Sequence, residues 1–449
     1  MRALALSLGL LAAGMPVFAQ SIPYEEFTLP NGLRVFLIRD PSVPVVSLTL
    51  MAAAGSRNES PGLSGFAHLF EHLMFEGSAH VPRGRFDRIL EAHGAANNAS
   101  THNDFTFYYE TLPSNALALA AWLDADRLSA LDVSEKNMRT QVDVVKEEIR
   151  QSVENRPYIP LLCYEIPGRA FSNWANQHPT VGTFEDLDRA TLKEVRLFFD
   201  RHYAPSNLMM AVAGDFEPGQ AKALLTRYFG WIPNRAETPA KPDLSEKPQS
   251  EQRAFDVTDV HAQVPGLAVV WSDMPPRGSK GYYAMALLGR MLFHGKSSRL
   301  YQLLVKDKQV AVAVDEPYAG GLGFPVSDVE EFKEAGLFGG FILTKDGVSA
   351  DGVAALVLAE AARIAAEGVP PEELERAKTK LRSETIQGLQ TTLGRAYAVL
   401  RAALLDGSPA VANEELSRFM AVSPDDVKAA ASKHLLPTKA NIFRLKAAR

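Results

Sequence analysis

His68, Glu71 and His72 stand in a run that is otherwise apolar, Phe66-Ala67-His68-Leu69-Phe70-Glu71-His72-Leu73-Met74-Phe75. Polar groups among so many large apolar side chains need partners, so this segment must join a core and satisfy three polar side chains at once. A helix does both. In a helix His68 and His72 lie one turn apart on one face, where two imidazoles can share an ion, and Glu71 projects beside them. The order is H-x-x-E-H, inverted relative to the better-known zinc motif.

Zinc hydrolysis needs three protein ligands and an open fourth position, so one further ligand must come from elsewhere in the chain. The helical pattern from Ser134 to Val153 offers Glu147 and Glu148. Val144 and Val145 help turn Glu148 inward, but periodicity leaves open an exposed Glu147-Glu148 pair. Manganese or cobalt would also suit two imidazoles and a carboxylate, and ligand type favours one zinc ion.

At 449 residues the chain is too long for one ordinary core, and two domains are the simplest division. Residues 237–252 hold Pro239, Pro242 and Pro248 among charged residues and read as a linker between domains at 20–236 and 253–449. In the first, Leu33 to Ile38 and Val45 to Met51 read as strands, and the turn signals Asn31-Gly32 and Asp40-Pro41 suggest that they form a hairpin. Thr106 to Thr111 and Leu208 to Ala213 also read as strands, and Leu63 to Phe75, Arg85 to His93, Ala116 to Leu128 and Ser134 to Val153 as helices. In the second, Leu267 to Trp271 and Leu337 to Thr344 read as strands, and Gly281 to Leu292, Ala350 to Glu367 and Pro371 to Gln390 as helices. The shared order implies an α+β fold of two similar domains, each a largely antiparallel sheet packed against several helices.

Met1-Arg2, the apolar run Ala3 to Ala13 and the small residues of Val17-Phe18-Ala19 read as a signal peptide over 1–19, cut before Gln20. The run is too short for a membrane span, and no later segment supplies one. A periplasmic or secreted location follows. Cys163 is the only cysteine, so no intrachain disulfide can form. A net charge of −6 with no dense basic run gives no reason to expect a nucleic-acid partner.

Gly65 to Ser78, GFAHLFEHLMFEGS, resembles the active-site helix of the pitrilysin and insulinase family of inverted zinc metallopeptidases, and the bacterial members similar to processing peptidases fit best. The resemblance continues through Asn31 to Val35, through Asn98-Ala99-Ser100-Thr101 with Asp104, Thr106 and Tyr109, through His178-Pro179 to Gly182-Thr183, and through Tyr203 to Asn207 with Ala213 to Asp215. It is looser in the second half, at Ser297 to Tyr301 and Gly336 to Phe338. In that family the third ligand is a glutamate about 76 residues past the second histidine, followed by Ile or Met; Glu148 stands at that spacing with Ile149 after it. The resemblance therefore selects Glu148 over Glu147. It makes His68, His72 and Glu148 the zinc ligands and Glu71 the general base, and it implies an endopeptidase acting on peptides or extended polypeptide. It also implies that substrate adds as a strand along an edge containing Asn98, Ala99 and Ser100, although Gly94 and the adjacent asparagines 97 and 98 are equally turn chemistry.

The chain departs from the family pattern in two places. Gln141 stands where the family often has a second glutamate, so it can hydrogen-bond a ligand but adds no charge. An arginine and a tyrosine seven residues apart in the second domain fall on Lys306 and Ala313, with Arg299 and Tyr301 as alternative contributors. An ammonium and a methyl cannot replace a guanidinium and a phenol where developing charge must be stabilised. The resemblance thus implies a heterodimer with a homologous subunit that supplies the pair. The runner-up is a non-catalytic scaffold or assembly subunit.

Overall fold

A computed structural model describes residues 21–235, 237, 239–314, 333–334 and 336–448. The segment read as a signal peptide lies outside them. The first half runs β1 (Glu25–Thr28), β2 (Arg34–Arg39), β3 (Val45–Ala52), α1 (Phe66–Leu73), α2 (Phe86–Ala92), β4 (Ala96–Thr101), β5 (Thr106–Pro113), α3 (Leu117–Ala130), α4 (Glu135–Ile149), α5 (Ile166–Ala170), α6 (Trp174–Gln177), α7 (Phe184–Arg189), α8 (Leu192–His202), β6 (Leu208–Gly214) and α9 (Pro218–Phe229). The second half runs β7 (Arg253–Asp259), β8 (Gly266–Trp271), α10 (Lys280–Phe293), β9 (Ala311–Val314), β10 (Phe338–Thr344), α11 (Ala350–Glu367), α12 (Pro371–Gly388), α13 (Thr392–Leu405), α14 (Val411–Met420), α15 (Pro424–His434) and β11 (Asn441–Ala447).

The strands form two sheets, ordered β1-β2-β6-β3-β5-β4 and β7-β11-β8-β10-β9. Apart from β1, the two orders are the same path drawn twice. In each half the opening strand lies parallel to the closing strand, and every other pair is antiparallel. The chain is thus a largely antiparallel α+β fold with a repeated unit.

The expected hairpin between β2 and β3 does not form. β6 enters between them, parallel to β2 and antiparallel to β3. Both strands are nearly continuous apolar runs, and such runs belong in the middle of a sheet covered on both faces. The Asn31-Gly32 turn instead closes a hairpin one strand earlier, joining β1 to β2, with Gly32 at φ +91°.

Alternation along these strands decides what covers each face. Val35 and Leu37 of β2, Leu48 and Leu50 of β3, and Met210 and Val212 of β6 face a large core shared with α1, α3, α4 and α8. Phe36, Ile38, Met51, Ala211 and Ala213 face the other way, where α13 covers them with Ala396, Val399, Leu400 and Ala403. α13 therefore belongs to the second half by sequence and to the first sheet by packing. Ser47 on β3 meets Thr392 at its start, hydroxyl to hydroxyl, at 2.7 Å.

A further contact ties the halves. Tyr158 is buried in a left-handed conformation, φ +73°, and its backbone N–H donates to Asp259 Oδ2 at 2.6 Å. The segment around residues 237–252 has no helix or strand among the described residues, yet it is held down. Glu246 accepts from the Ser172 N–H at 2.6 Å and from the Asn176 amide at 2.6 Å. α4 keeps α-helical bonding only to Ile149 and continues as a π-helical turn over Arg150–Glu154, short of the single helix expected to Val153. No helix of the described residues is long and apolar enough to cross a membrane.

Candidate metal centre

α1 is eight residues long and splits cleanly by face. Phe66, Ala67, Leu69, Phe70 and Leu73 are buried, and the Phe70 ring lies 5.3 Å from those of Phe198 and Tyr203 and 5.7 Å from that of Phe199. The opposite face presents His68, Glu71 and His72. α4 crosses it, started by Ser134, whose hydroxyl accepts from the Asn137 N–H. Met138, Val142 and Val145 press α4 into the core, which brings the next turn over the α1 imidazoles.

There His68 Nε2 lies 3.8 Å from Glu148 Oε1, and His72 Nε2 lies 3.2 Å from Glu148 Oε2. The three ligand atoms fall within 4.8 Å of one another, and this is the only such group of three among the described residues. Two imidazole nitrogens and one carboxylate oxygen are a donor set that suits zinc and leaves a position for water. Glu147 takes the other side of the helix, where it accepts from Arg150 at 3.1 Å and Gln151 at 2.8 Å in solvent.

Electrostatics separate the two imidazoles. Burial, with the charge of His72 adding to it, pushes His68 down to about 4, so it is a neutral imidazole at pH 7. Burial acts on His72 in the same sense, but the hydrogen bond and charge of Glu148 outweigh it and raise that group. The hydrogen bond from His72 in turn lowers Glu148. Gln141, buried two turns earlier on α4, also hydrogen-bonds the His72 imidazole.

Glu71 stands beside the set. Burial raises its carboxyl above the usual range, and a hydrogen bond from Thr101 Oγ1 to Oε2 at 2.5 Å opposes the rise. Thr101 ends β4, the outermost strand of its sheet. Asn98, Ala99 and Ser100 precede it on the same strand. Asn98 Oδ1 accepts from the Ala99 N–H at 2.9 Å, and Ser100 Oγ lies 2.9 Å from His102 Nε2. β5 occupies one side of β4, so its other backbone edge has no strand beside it among the described residues. The second half contributes differently. Lys306 lies in a π-helical run, Tyr301–Asp307, and Ala313 lies on β9. Arg299 is held by Glu360 and Glu373 at 2.8 and 2.6 Å.

Residues 34–173 match the family model described as Insulinase (Peptidase family M16), and residues 189–381 match one described as Peptidase M16 inactive domain. The zinc protease PqqE of Helicobacter pylori is 30% identical over 309 residues, covering 67% of this chain and 68% of that protein. The chain belongs to the insulinase family, peptidase family M16. All four residues of the centre fall in the first match, and none in the match described as inactive. An uncharacterized zinc protease of Streptomyces coelicolor is 27% identical over 416 residues, 90% of this chain and 85% of that one. Among solved structures, a protease from Helicobacter pylori superposes with a TM-score of 0.86 at 24% identity, covering 95% of this chain and all of that one. The periplasmic protease PqqL from Escherichia coli gives 0.73 at 18% identity, with 95% of this chain covering 48% of PqqL. These likenesses support a zinc-protease-like protein with the two-sheet fold of its relatives.

Four residues near this centre stand out in no local sequence pattern: Thr101 bonds Glu71, and Glu59, Asp186 and His178 gather at the start of α1. Gly65, a helix N-cap with no side chain to offer, was the available signal that a cap must arrive from elsewhere.

Proposed function

We propose that this chain is a zinc-dependent endopeptidase that cuts peptides or extended polypeptide segments. The observation that carries the reading is the convergence of His68, His72 and Glu148 from two helices, with the Glu71 carboxylate beside them. His68, His72 and Glu148 would hold one ion, and when bound it supplies Lewis acidity that acidifies water and polarises the scissile carbonyl. Glu71 accepts the proton of the attacking water and delivers it to the leaving nitrogen. Thr101 holds one oxygen of that carboxylate and leaves the other free to act. Asn98, Ala99 and Ser100 offer the open edge of β4, to which a substrate strand would add through main-chain hydrogen bonds. Gln141 steadies His72 without adding charge.

Lys306 and Ala313 supply neither a guanidinium nor a phenol, and Arg299 is already committed to two carboxylates. We therefore assign activity to a heterodimer with a homologous subunit. In support, PqqL holds about twice the length of this chain in one protein, and its first half alone is covered to 92%. Residues 20–236 and 253–449 would be the two domains, 237–252 their linker, and 1–19 a signal peptide directing the protein to the periplasm or outside the cell. The second reading, a non-catalytic scaffold, is favoured only by the inactive-domain match over 189–381.

Metal analysis of the purified chain, followed by a peptide-library digest with and without the subunit that co-purifies from the native host, tests both readings. The expected result is about one zinc per chain and cleavage that the partner switches on. A chain that takes up no zinc, or a zinc-bearing pair that cuts nothing, would overturn the peptidase reading. Normal turnover by the chain alone would remove the partner.

A further inference from the structure

α1 begins without a cap of its own. Gly65, at φ +90°, has no side chain to accept from the first helical N–H groups, which an α-helix leaves without intrahelical partners. Glu59 fills the gap from a separate turn, with Oε2 accepting from the Gly65 N–H at 2.9 Å and Oε1 from the Ala67 N–H at 2.7 Å. Asp186 Oδ2 takes the Ser64 N–H at 3.0 Å. The anion also sits at the positive end of the helix.

A wholly buried carboxylate is costly unless a countercharge stands against it. His178 provides one, with Nε2 3.0 Å from Glu59 Oε2. The same nitrogen lies 2.8 Å from the Ser56 carbonyl, Nδ1 lies 2.8 Å from the Trp174 carbonyl, and the ring stacks on Trp174 at 3.9 Å. Both ring nitrogens face oxygens that can only accept, so His178 is an imidazolium. Burial pushes the Glu59 carboxyl up, while the contact with His178 and the Ala67 and Gly65 N–H groups oppose that rise. The stretch that follows His178 presses on the same helix start. A Cβ on Gly182 would stand 2.5 Å from Gly65 Cα, and one on Gly65 would stand 2.7 Å from Gly182 Cα, so only two glycines allow this approach.

We propose that Glu59 and His178 are positioning residues for the metal: their buried ion pair fixes the first turn of α1, and with it the imidazoles of His68 and His72. This rests on the reading of His68, His72 and Glu148 as zinc ligands. Ala67, whose N–H Glu59 holds, is the residue before His68, and a site of this kind tolerates displacements of only about 0.5 Å. A merely structural pair would stabilise the fold and leave the metal indifferent to its loss.

The test is zinc affinity, read by competition with a chromogenic chelator on Glu59→Gln, His178→Ala and His178→Asn, each first checked for a native circular dichroism spectrum. Glu59→Gln and His178→Ala should bind zinc about 10- to 100-fold more weakly, the range seen when an outer partner of a ligand is lost. His178→Asn, which keeps one donor towards Glu59, should fall between them and the unaltered chain. With the partner subunit present, kcat should drop while KM holds. Should Glu59→Gln fail to fold, His178→Asn carries the test, because it leaves both caps in place. Folded variants that hold zinc as tightly as the unaltered chain would overturn this inference alone. An unaltered chain that takes up no zinc would overturn the ligand assignment and this inference with it.

Discussion

The two units follow one strand path, yet they treat the same helix pair in opposite ways. Between its second and third strands of that path the first unit places α1, which meets α4 through His68, His72 and Glu148. At the equivalent place the second unit puts α10, which is buried almost throughout, from Tyr282 to Phe293. α10 is joined to α12 by an ion pair between Arg290 and Glu384. The fold therefore needs an apolar helix on the sheet and some polar join to the next helix. It does not need two imidazoles and a carboxylate around one point, so the first unit's set is an addition that structure alone does not explain. That addition is the reason to read the first unit as the working one and the second as support.

The largest expected effect follows from removing the group that has no counterpart in the second unit. Glu71→Gln keeps the shape and the Thr101 contact but cannot take up a proton. It should retain zinc while kcat falls roughly 10²- to 10⁴-fold, the usual contribution of a general base. Turnover close to normal, measured with the partner present, would reassign the base. His72→Ala sharpens the comparison from the metal side. With free zinc at about 100 times its Kd, the unaltered chain should gain about 2.7 kcal/mol of stability that a chelator removes. The variant should show no such gain in a urea titration.

How much of this was legible depended on the distance between the residues involved. The helix around His68 could be read because its apolar and polar positions repeat within two turns. The choice between Glu147 and Glu148 could not be made on period alone, since both sit near the end of α4, and only a resemblance favoured one of them. The separation of β2 from β3 is hidden for the same reason: turn chemistry is local, whereas β6 reaches its place from residues 208–214. α13 was not expected at all. Its small residues, Ala396 and Ala403, make sense only against Ala211 and Ala213 of a sheet in the other half. Glu59 and His178 are far apart in sequence, and neither has a pattern around it that names the other.

The join in the second unit should matter to stability and not to metal. Glu384→Gln removes the charge that pairs with Arg290. Both side chains are partly exposed, which limits the cost to about 1 kcal/mol. Zinc affinity should not change. A loss of zinc on this substitution would mean that the two helix pairs are coupled, and the contrast between the units would have to be abandoned.

The smallest effect concerns the place where the second half crosses onto the first sheet. Arg395, near the start of α13, pairs with Asp40, which follows β2. The hydrogen bond from Arg395 lowers the Asp40 carboxyl from 3.8 to about 2. A carboxyl depressed in the folded state contributes stability above its unfolded pKa and loses it as pH falls through the folded value. Asp40→Asn should therefore cost roughly 0.5 kcal/mol at pH 6, within the range of ion pairs that water still reaches. The gap to the unaltered chain should begin to close below pH 3.8 and be gone near pH 2. Urea midpoints taken for both proteins at steps between those values test this. A gap that does not vary with pH would show that α13 is held on the first sheet by Ala396, Val399 and Leu400 alone, with the ion pair contributing nothing to the seam.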